Sequence, residues 1–364
     1  MTSPLDQTTD RLLTRYDHTV LLTVRLPSPG VAADHGDRQR IHLGAVAEQV
    51  ADVLDDDAAQ RVTAALEAAG PDLQHALVAV VTDDDVHIER TTLTVDEPVV
   101  TAGPLPDLVD LLQSHQTWVP HALVIIDRIG ADVTIVTSDA GIQSETTVDS
   151  EDLHVTRSQP GGWSQRRFQQ RAEEAWRENV DAVIDEVGTD LRRVGLVLVS
   201  GDVHAVQLFR EALGGDIELV DLDAGSRAED GSDDALAAAA DAAVIEVAAR
   251  RRSERVGQVL GALGAGVGVT GRQDVLAALF EHRIDTLVID PAVADDISAW
   301  FGPGDAQVAA DSSILHALDL DARQAPLTAV AIRGAATTGA SVIVAHAGEL
   351  GAEVTDGVVG STRH

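Results

Sequence analysis

Residues 160–171 read PGGWSQRRFQQR, from Pro160 to Arg171, and they join a two-glycine turn to the start of a helix. Gly161 and Gly162 allow the backbone a positive φ or a close approach to another molecule, and Pro160 stiffens the turn. This combination predicts either a structural helix start or a tip that reaches into a narrow site on a partner.

The residues that follow have the spacing of an amphipathic helix. From residue 168 onward, apolar side chains recur on one face over about five turns. They are Phe168, Ala172, Ala175, Trp176, Val180, Val183, Ile184 and Val187. Arg167, Arg171 and Glu174 fall on the other face. Between residues 157 and 177, five arginines meet two glutamates, a local charge of +3 in a chain whose formal net charge is −34.

Arginines in the first turns of this helix suit an anionic partner. Arg166, Arg167 and Arg171 would offer phosphate groups both charge and paired hydrogen bonds. The alternative is a helix start that carries arginines without a partner, with Ser164 as its N-cap.

Composition excludes several classes of function. The chain has 364 residues, of which 45% are hydrophobic and 24% charged, as in globular proteins that contain more than one domain. Aromatic residues make up only 2%, which argues against a platform for stacked bases. There is no cysteine, so disulfides, thiolate nucleophiles and cysteine-based zinc sites are excluded.

All 26 basic residues are arginine, which excludes a lysine base, a Schiff base and a Walker-type lysine. The 60 acidic residues would repel nucleic acid at long range, so we expect no DNA partner and RNA contact only through local arginine clusters. A second cluster includes Arg250, Arg251, Arg252 and Arg255. No apolar run reaches about 18 residues, so we expect no membrane contact and a cytoplasmic location.

Breaks in the pattern predict three α/β domains, at 1–118, 119–224 and 235–364, with a linker at 223–234. In the first, strands are predicted at 20–26 and 76–81, helices at 41–54 and 58–69, and a hairpin turn at 83–85 that lacks calcium-loop spacing. In the last, helices are predicted at 270–282 and 330–340, and strands at 286–290 and 341–345, the final element.

The middle domain is predicted to contain a strand pair at 122–127 and 131–136, then a loop from Ser144 to Gln165 and the long basic helix. The apolar run from Val194 to Val199 predicts a central strand that is buried on both faces. A helix at 203–213 and an edge strand at 217–220 complete this domain.

Other motifs are weaker. Gly266, Gly268 and Gly271 have dinucleotide-fingerprint spacing, but a helical pattern precedes them where a strand is required, so a structural connection is favoured. The histidines lack the spacing of metal ligands, and Ser200 lacks the flanking glycines of a hydrolase elbow. We therefore predict no cofactor and no metal site.

The segment from Gly161 to Phe168 resembles the Gly-Gly-Gln-Ser-x-x-Arg-Phe tip of archaeal and eukaryotic class 1 release factors, including the long helix that follows. Residues 264–290 are similar to the C-terminal domain of release factors and Pelota. The resemblance implies a three-domain release-factor/Pelota-like architecture, each domain a mixed sheet with packed helices.

Two departures bear on function. Trp163 stands where release factors have the glutamine that assists hydrolysis, and an indole N–H cannot replace an amide that both donates and accepts. Gln165 lies two residues later. A chain without lysine also cannot contain the Asn-Ile-Lys-Ser stop-codon motif of those factors. Peptidyl-tRNA hydrolysis and standard decoding are therefore not expected.

With these departures, the chain resembles the bacterial relatives of these factors, the Balon-like ribosome hibernation proteins of actinobacterial type. This resemblance implies a stress factor that occupies the ribosomal A site, is delivered by elongation factor Tu and places its glycine loop near the peptidyl transferase centre. The residues implied to contact rRNA there, none of them catalytic, are Gly161, Gly162, Trp163, Ser164, Gln165, Arg166, Arg167 and Arg171. Two alternatives stay open: a peptidyl-tRNA hydrolase or ribosome-rescue factor that uses Gln165, and a stress-response protein that does not act on ribosomes.

Overall fold

The computed structural model describes residues 21–30, 34–70, 75–82, 86–91, 94–127, 129–138, 141–149, 164–223 and 233–363. Contacts group the chain into two units. The first unit combines Met1–Gln116 with Arg251–His364, and the second unit is Thr117–Arg250. Each unit layers helices on sheets, which confirms the predicted α/β class. The predicted division into three domains stays a prediction.

The N-terminal part of the first unit is built on a four-stranded antiparallel sheet. Its elements are β1 (Leu21–Leu26), α1 (His35–Ala51), α2 (Asp56–Ala69), β2 (Ala76–Val81), β3 (Val86–Thr91), β4 (Val99–Gly103) and α3 (Val109–Gln116). The strand order is β3-β2-β1-β4. Val46 of α1 and Leu66 of α2 belong to the core on this sheet. These elements confirm the predicted strands and helices, but β4 and α3 were not predicted, and the predicted turn at 83–85 lies outside the described residues.

An arginine on a strand ties the sheet to α3. The guanidinium of Arg25 in β1 bonds Asp107 at 2.6 Å and also contacts Asp110. Burial opposes the charge on Arg25, but the two carboxylates outweigh burial and raise its pKa. The two carboxylates explain why a charged residue is tolerated in a strand whose other side chains are buried.

The second unit has a mixed five-stranded sheet. Its elements are β5 (His121–Ile126), β6 (Gly130–Ser138), β7 (Gly141–Asp149), α4 (Ser164–Val194), β8 (Leu196–Gly201), α5 (Val203–Leu213), β9 (Glu218–Asp221) and the first part of α6 (Asp233–Gly264). The strand order is β7-β6-β5-β8-β9. β5, β8 and β9 are parallel, and β5, β6 and β7 are antiparallel neighbours.

Helices cover both faces of this sheet. Val197 and Val199 of β8 belong to one core with α4 and α5. Leu196 and Leu198 belong to another core with α6. Because successive strand residues point to opposite faces, the four residues from Leu196 to Val199 are all apolar. This confirms the predicted central strand, except that Val194 belongs to α4.

The predicted loop from Ser144 to Gln165 is wrong at both ends. β7 continues to Asp149 and pairs residue by residue with β6, and α4 already begins at Ser164. β7 was missed because its polar residues, Ser144, Glu145, Thr146 and Thr147, lack an apolar alternation, and pairing with β6 outweighs that weak signal.

The C-terminal part of the first unit carries two sheets. After α6 it contains β10 (Gly268–Thr270), α7 (Arg272–Phe280), β11 (Ile284–Ile289), α8 (Pro291–Ala294), β12 (Ser298–Phe301), β13 (Val308–Ala309), α9 (Ser312–His316), β14 (Arg323–Pro326), α10 (Leu327–Thr338), β15 (Ser341–Val344) and β16 (Val358–Thr362). The strand orders are β10-β16-β11-β15 and β13-β12-β14. The predicted helices and strands are confirmed, but β16 follows the strand that was predicted to be last.

One core explains why the first unit combines two distant parts of the sequence. Leu108 and Leu112, from the N-terminal part, belong to the same buried cluster as Leu276, Leu287 and Leu327 from the C-terminal part. All five side chains are largely removed from water. Their burial is a main stabilising term for this unit.

Two glutamine side chains pair with strand edges in the way that a neighbouring backbone would. The amide of Gln49 donates to Pro98 O at 3.1 Å and accepts from Val100 N at 3.1 Å, on β4. The amide of Gln116 accepts from Val344 N at 3.1 Å and makes a longer bond to Val342 O, on β15. Both strands are at the edges of their sheets, so each amide satisfies backbone groups that edges leave open.

Candidate nucleic-acid interface

The predicted interface coincides with the start of α4. Ser164 is the first residue of this helix, and Gln165, Arg166, Arg167 and Arg171 lie in its first turns. Nothing is described of these five side chains. Gly161, Gly162 and Trp163 lie outside the described residues. The prediction that a long helix follows the glycines directly is confirmed, and the contacts predicted for the loop stay predictions.

The described part of α4 explains how the helix is held. From Val180 onward its buried face repeats every three or four residues, and each of these side chains belongs to the core on the sheet. They are Val180, Val183, Val187, Leu191 and Val194. Arg177 and Glu178 are exposed on the opposite side. The helix is thus anchored by its C-terminal half.

One polar residue interrupts the buried face of α4. Asn179 is 1% exposed, and its Nδ2 donates to the main-chain carbonyl of Asp127 at 3.2 Å. Among the described residues, its Oδ1 has no hydrogen-bond partner. A buried acceptor without a partner lowers the free energy of unfolding by about 1–3 kcal/mol, so this asparagine reduces the stability of the fold.

The turn that Asn179 contacts is itself rigid. Asp127 follows β5, and its Oδ1 accepts from Ile129 N at 2.8 Å and Gly130 N at 3.0 Å. Its backbone N–H donates to Gly130 O at 3.0 Å. These bonds fix the carbonyl that receives the Asn179 amide.

The neighbouring end of β8 requires a glycine. Gly201 has φ +130°, and a Cβ at this position would lie 1.9 Å from Ile126 O. The next residue, Asp202, donates its backbone N–H to the same carbonyl at 3.0 Å. The Asp202 carboxylate then caps α5 by accepting from His204 N at 2.8 Å.

His204 and Trp176 join the two helices at this end of the sheet. Their ring centroids are 4.9 Å apart and tilted by 58°, a favourable aromatic geometry. His204 is exposed, and the indole that it contacts is half-buried. Twelve residues separate Trp176 from the helix start at Ser164, so that start lies about 18 Å away along the axis.

The opposite face of this sheet holds a buried histidine. His121 on β5 is 9% exposed, and its Nδ1 lies 2.9 Å from Val119 O. Burial lowers the pKa of this imidazole, although the Val119 carbonyl and Asp241 on α6 act in the other direction. The neutral form is therefore favoured in the folded protein.

Two members of the second arginine cluster bond to the protein itself. Arg250 pairs with Glu218 within the second unit. Within the first unit, Arg252 bonds Glu349 at 2.6 Å. Burial opposes the charge on Glu349, but the bonds from Arg252 and the His346 backbone outweigh it and lower the pKa of this carboxyl. These pairs give the cluster a structural role.

The glycine motif at 266–271 is a structural connection. It follows the end of α6 and leads into β10, whereas a dinucleotide site needs a strand before its first glycine. Gly268 is packed against the backbone, since a Cβ there would lie 2.7 Å from Leu263 N. Asp290, which has the right spacing for a ribose contact, instead caps α8 by accepting from Ala292 N at 3.1 Å.

The described residues contain neither a group of metal-binding side chains nor a helix that could span a membrane. No three histidine, aspartate or glutamate side chains in these ranges are grouped so that they would hold a metal ion. Every helix described is too short or too polar to pass through a bilayer.

Sequence comparison supports the predicted resemblance at a coarse level. Residues 120–265, less than half of the chain, match the sequence model of a family described as bacterial archaeo-eukaryotic release factor family 2. The matched range includes the predicted glycine loop and all of α4. No curated protein matches the chain. The middle of the chain is therefore release-factor-like, whereas its similarity to the Balon-like, actinobacterial type stays a prediction.

Solved structures of translation factors are similar at low identity. The archaeal termination factor aRF1 shares 16% identity over 98% of both chains, with a TM-score of 0.23. Pelota from Archaeoglobus fulgidus shares 14% over 79% of both chains, with a TM-score of 0.34. Dom34 from S. cerevisiae, a translation termination-like factor, shares 12% over 79% of both chains, with a TM-score of 0.36. These superpositions are loose, and the α/β architecture follows from the helices and sheets of this chain.

Proposed function

We propose that this protein is a ribosome-associated translation factor that acts in the cytoplasm as a hibernation or stress factor. In this role it occupies the A site, contacts rRNA and places the Gly161-Gly162 loop near the peptidyl transferase centre. The observation that carries the proposal is the release-factor family match over residues 120–265. It includes a two-glycine segment directly before a 31-residue helix with arginines in its first turns.

Charge supports this assignment of the tip. Arg166, Arg167 and Arg171 lie in the first turns of α4, while Arg250 and Arg252 are engaged in ion pairs. In a chain with a net charge of −34, a local positive segment would direct RNA to one place and limit binding elsewhere.

We further propose that the protein does not hydrolyse peptidyl-tRNA. Trp163 replaces the glutamine expected from the release-factor resemblance. Gln165, the residue that a hydrolase would use instead, is the second residue of α4 and does not belong to the loop. A glutamine fixed in a helix is poorly suited to reach the ester at the loop tip. Delivery by elongation factor Tu is part of the same proposal and rests on the resemblance alone.

The proposal is tested by co-sedimentation of the purified protein with bacterial ribosomes over a range of salt concentrations. Arg166→Glu combined with Arg167→Glu should weaken binding at least about tenfold and reduce the slope of log K against log salt by about 2, one per arginine. The matched control is Arg192→Glu with Arg193→Glu, which changes the same charge in exposed residues of the last turn of α4.

Equal losses in the two double variants would show that only net charge matters and would contradict the role of the tip. Absence of the wild-type protein from ribosomal fractions at low salt would favour a protein that does not act on ribosomes. Peptide release from loaded ribosomes that is lost in Gln165→Ala would favour the hydrolase.

A further inference from the structure

We infer that Asn179 is a positioning residue: its bond to the Asp127 carbonyl sets the direction of α4 and so the position of its first turns. This inference rests on the proposed function for its biological meaning. The geometric part, a helix direction fixed by one amide, can be tested without a ribosome.

The contact made by Asn179 differs chemically from the rest of the buried face of α4. The rest of the buried face of α4, from Val180 to Val194, is apolar. Apolar contacts are not directional, so they favour burial of that face without strongly fixing a small tilt or slide of the helix. The Asn179 amide donates to one carbonyl at 3.2 Å, and hydrogen bonds weaken steeply when their angle changes. The asparagine therefore adds a directional restraint to an otherwise apolar contact.

The Asp127 carbonyl, which accepts the Asn179 hydrogen bond, is held in place by several other bonds. The carbonyl belongs to Asp127, whose own carboxylate and N–H hold the turn to Gly130. The preceding residue, Ile126, receives the Asp202 N–H through its carbonyl and is in close contact with Gly201. Asn179 is thus bonded to the best-fixed part of this sheet end.

The helix start is far from the Asn179 contact, so a small tilt at Asn179 moves the start by several ångströms. Asn179 and Ser164 are fifteen residues apart on α4, so the helix start lies about 22 Å along the axis from the contact. A tilt of about 10° at Asn179 would move that start by about 4 Å. Groups that must meet a partner lose much of their effect at such displacements.

Asn179 also lowers the stability of the fold. The Oδ1 of Asn179 has no partner among the described residues, so the asparagine is not an optimal choice for stability. Buried polar residues of this kind are retained where they specify one arrangement over others, as a single buried asparagine does in coiled coils. The positioning role accounts for a residue that stability alone does not favour.

The test uses distances between spin labels. The chain has no cysteine, so Gln170→Cys in α4 and Ala212→Cys in α5 can be labelled without background. Pulsed electron paramagnetic resonance on the full chain should give one narrow distance distribution. With Asn179→Leu, we expect a distribution that is broader or shifted by about 2 Å, because Gln170 lies about 14 Å from Asn179 along the helix axis. The midpoint of urea unfolding should change little, because one poor acceptor is lost along with one bond.

Two further variants separate direction from stability. Asn179→Asp keeps the shape but loses the donor, so its distribution should be broad at pH 8 and should narrow as the pH falls and the carboxyl regains an O–H. Val183→Ala removes a buried apolar group of the same helix; it should lower stability but leave the distribution centred as in the wild type.

An Asn179→Leu distribution identical to the wild type would overturn the inference, whatever happens to ribosome binding. A changed distribution together with several-fold weaker co-sedimentation of unlabelled Asn179→Leu supports both the positioning role and the proposed function. A changed distribution with unchanged co-sedimentation supports the positioning role and contradicts the proposed role of the tip.

Discussion

The second unit contains the long helix α4 and the first part of the long helix α6, up to Arg250, and the two helices pack on its sheet by different means. They have 31 and 32 residues and pack against opposite faces of one sheet. α4 fills its face with branched side chains such as Val183 and Val187, whereas α6 uses Ala240 beside Val244 and Val247. Large side chains make a helix face visible in the sequence, while alanine gives little contrast between a buried and an exposed side.

Their arginines differ as well. The arginines of α4 that are proposed to meet a partner lie in its first turns. Two of those in the middle of α6 pair with glutamates of the protein. Glu218 and Glu349 are distant in the sequence from Arg250 and Arg252, so the sequence alone could not indicate that these two arginines are engaged.

The largest expected effect comes from a substitution that disrupts one end of the sheet on which both helices pack. Gly201→Ala would place a Cβ 1.9 Å from Ile126 O at a φ of +130°, so β5 and β8 could no longer pair at this end. We expect a loss of about 4 kcal/mol or more in the free energy of unfolding of the second unit, measured by urea titration with circular dichroism.

The control for that variant is Gly214→Ala. Gly214 also has a positive φ, +82°, but a Cβ there would meet nothing within 4 Å. It should cost about 1–2 kcal/mol. Equal losses in the two variants would show that backbone strain alone, and not the contact with Ile126, makes Gly201 necessary.

The second test compares the two helix faces directly. Val183→Ala should cost about 2–3 kcal/mol, because it leaves a cavity in a fully buried site. Ala240→Leu should cost about 1–3 kcal/mol for the opposite reason, since Ala240 is buried and a larger side chain there would have to displace its neighbours. Urea titration measures both.

Ala242→Leu is the control on α6, because Ala242 is exposed and the change should be nearly neutral. If Ala240→Leu is also neutral, then α6 does not pack through small residues and the contrast between the helices fails.

The smallest effect concerns the histidine beneath α6. Because the pKa of His121 is lowered in the folded state, the unfolded chain binds more protons just below the ordinary histidine pKa of 6.5. Stability contributed by the neutral imidazole is present above that pH and is lost as the pH falls toward the folded-state pKa.

We therefore expect the free energy of unfolding to decrease as the pH falls below about 6.5, with a shallower decrease in His121→Phe. Titrations at several pH values measure the two slopes. If the wild type and His121→Phe have equal slopes, then another group is responsible for the pH dependence.

The same contrast explains how far the sequence could predict the fold. Apolar runs and turn residues located most strands, and the β8 run even indicated burial on both faces. The polar strand β7 and the short β4 could not be predicted, because they exist through pairing with neighbours that are distant in the sequence. The alanines of α6 likewise gave no sign that residues up to Arg250 belong to the second unit.

For the candidate site, the sequence predicted the helix and its arginines but not what holds them. Asn179 resembles an ordinary polar residue on a helix, and its importance depends on Asp127, which is 52 positions earlier in the chain. Gly201 similarly becomes necessary only when Ile126 is beside it. A valine stripe interrupted by one asparagine is the signal that could have indicated the contact.

The two glutamine amides at the edges of the first unit also bear on how this protein behaves at high concentration. Gln49 and Gln116 occupy the backbone groups through which β4 and β15 would otherwise recruit a strand from a second molecule. A net charge of −34 keeps molecules apart at long range, but salt screens that repulsion within about 10 Å. The glutamines act at contact distance, so resistance to self-association should persist in salty solution.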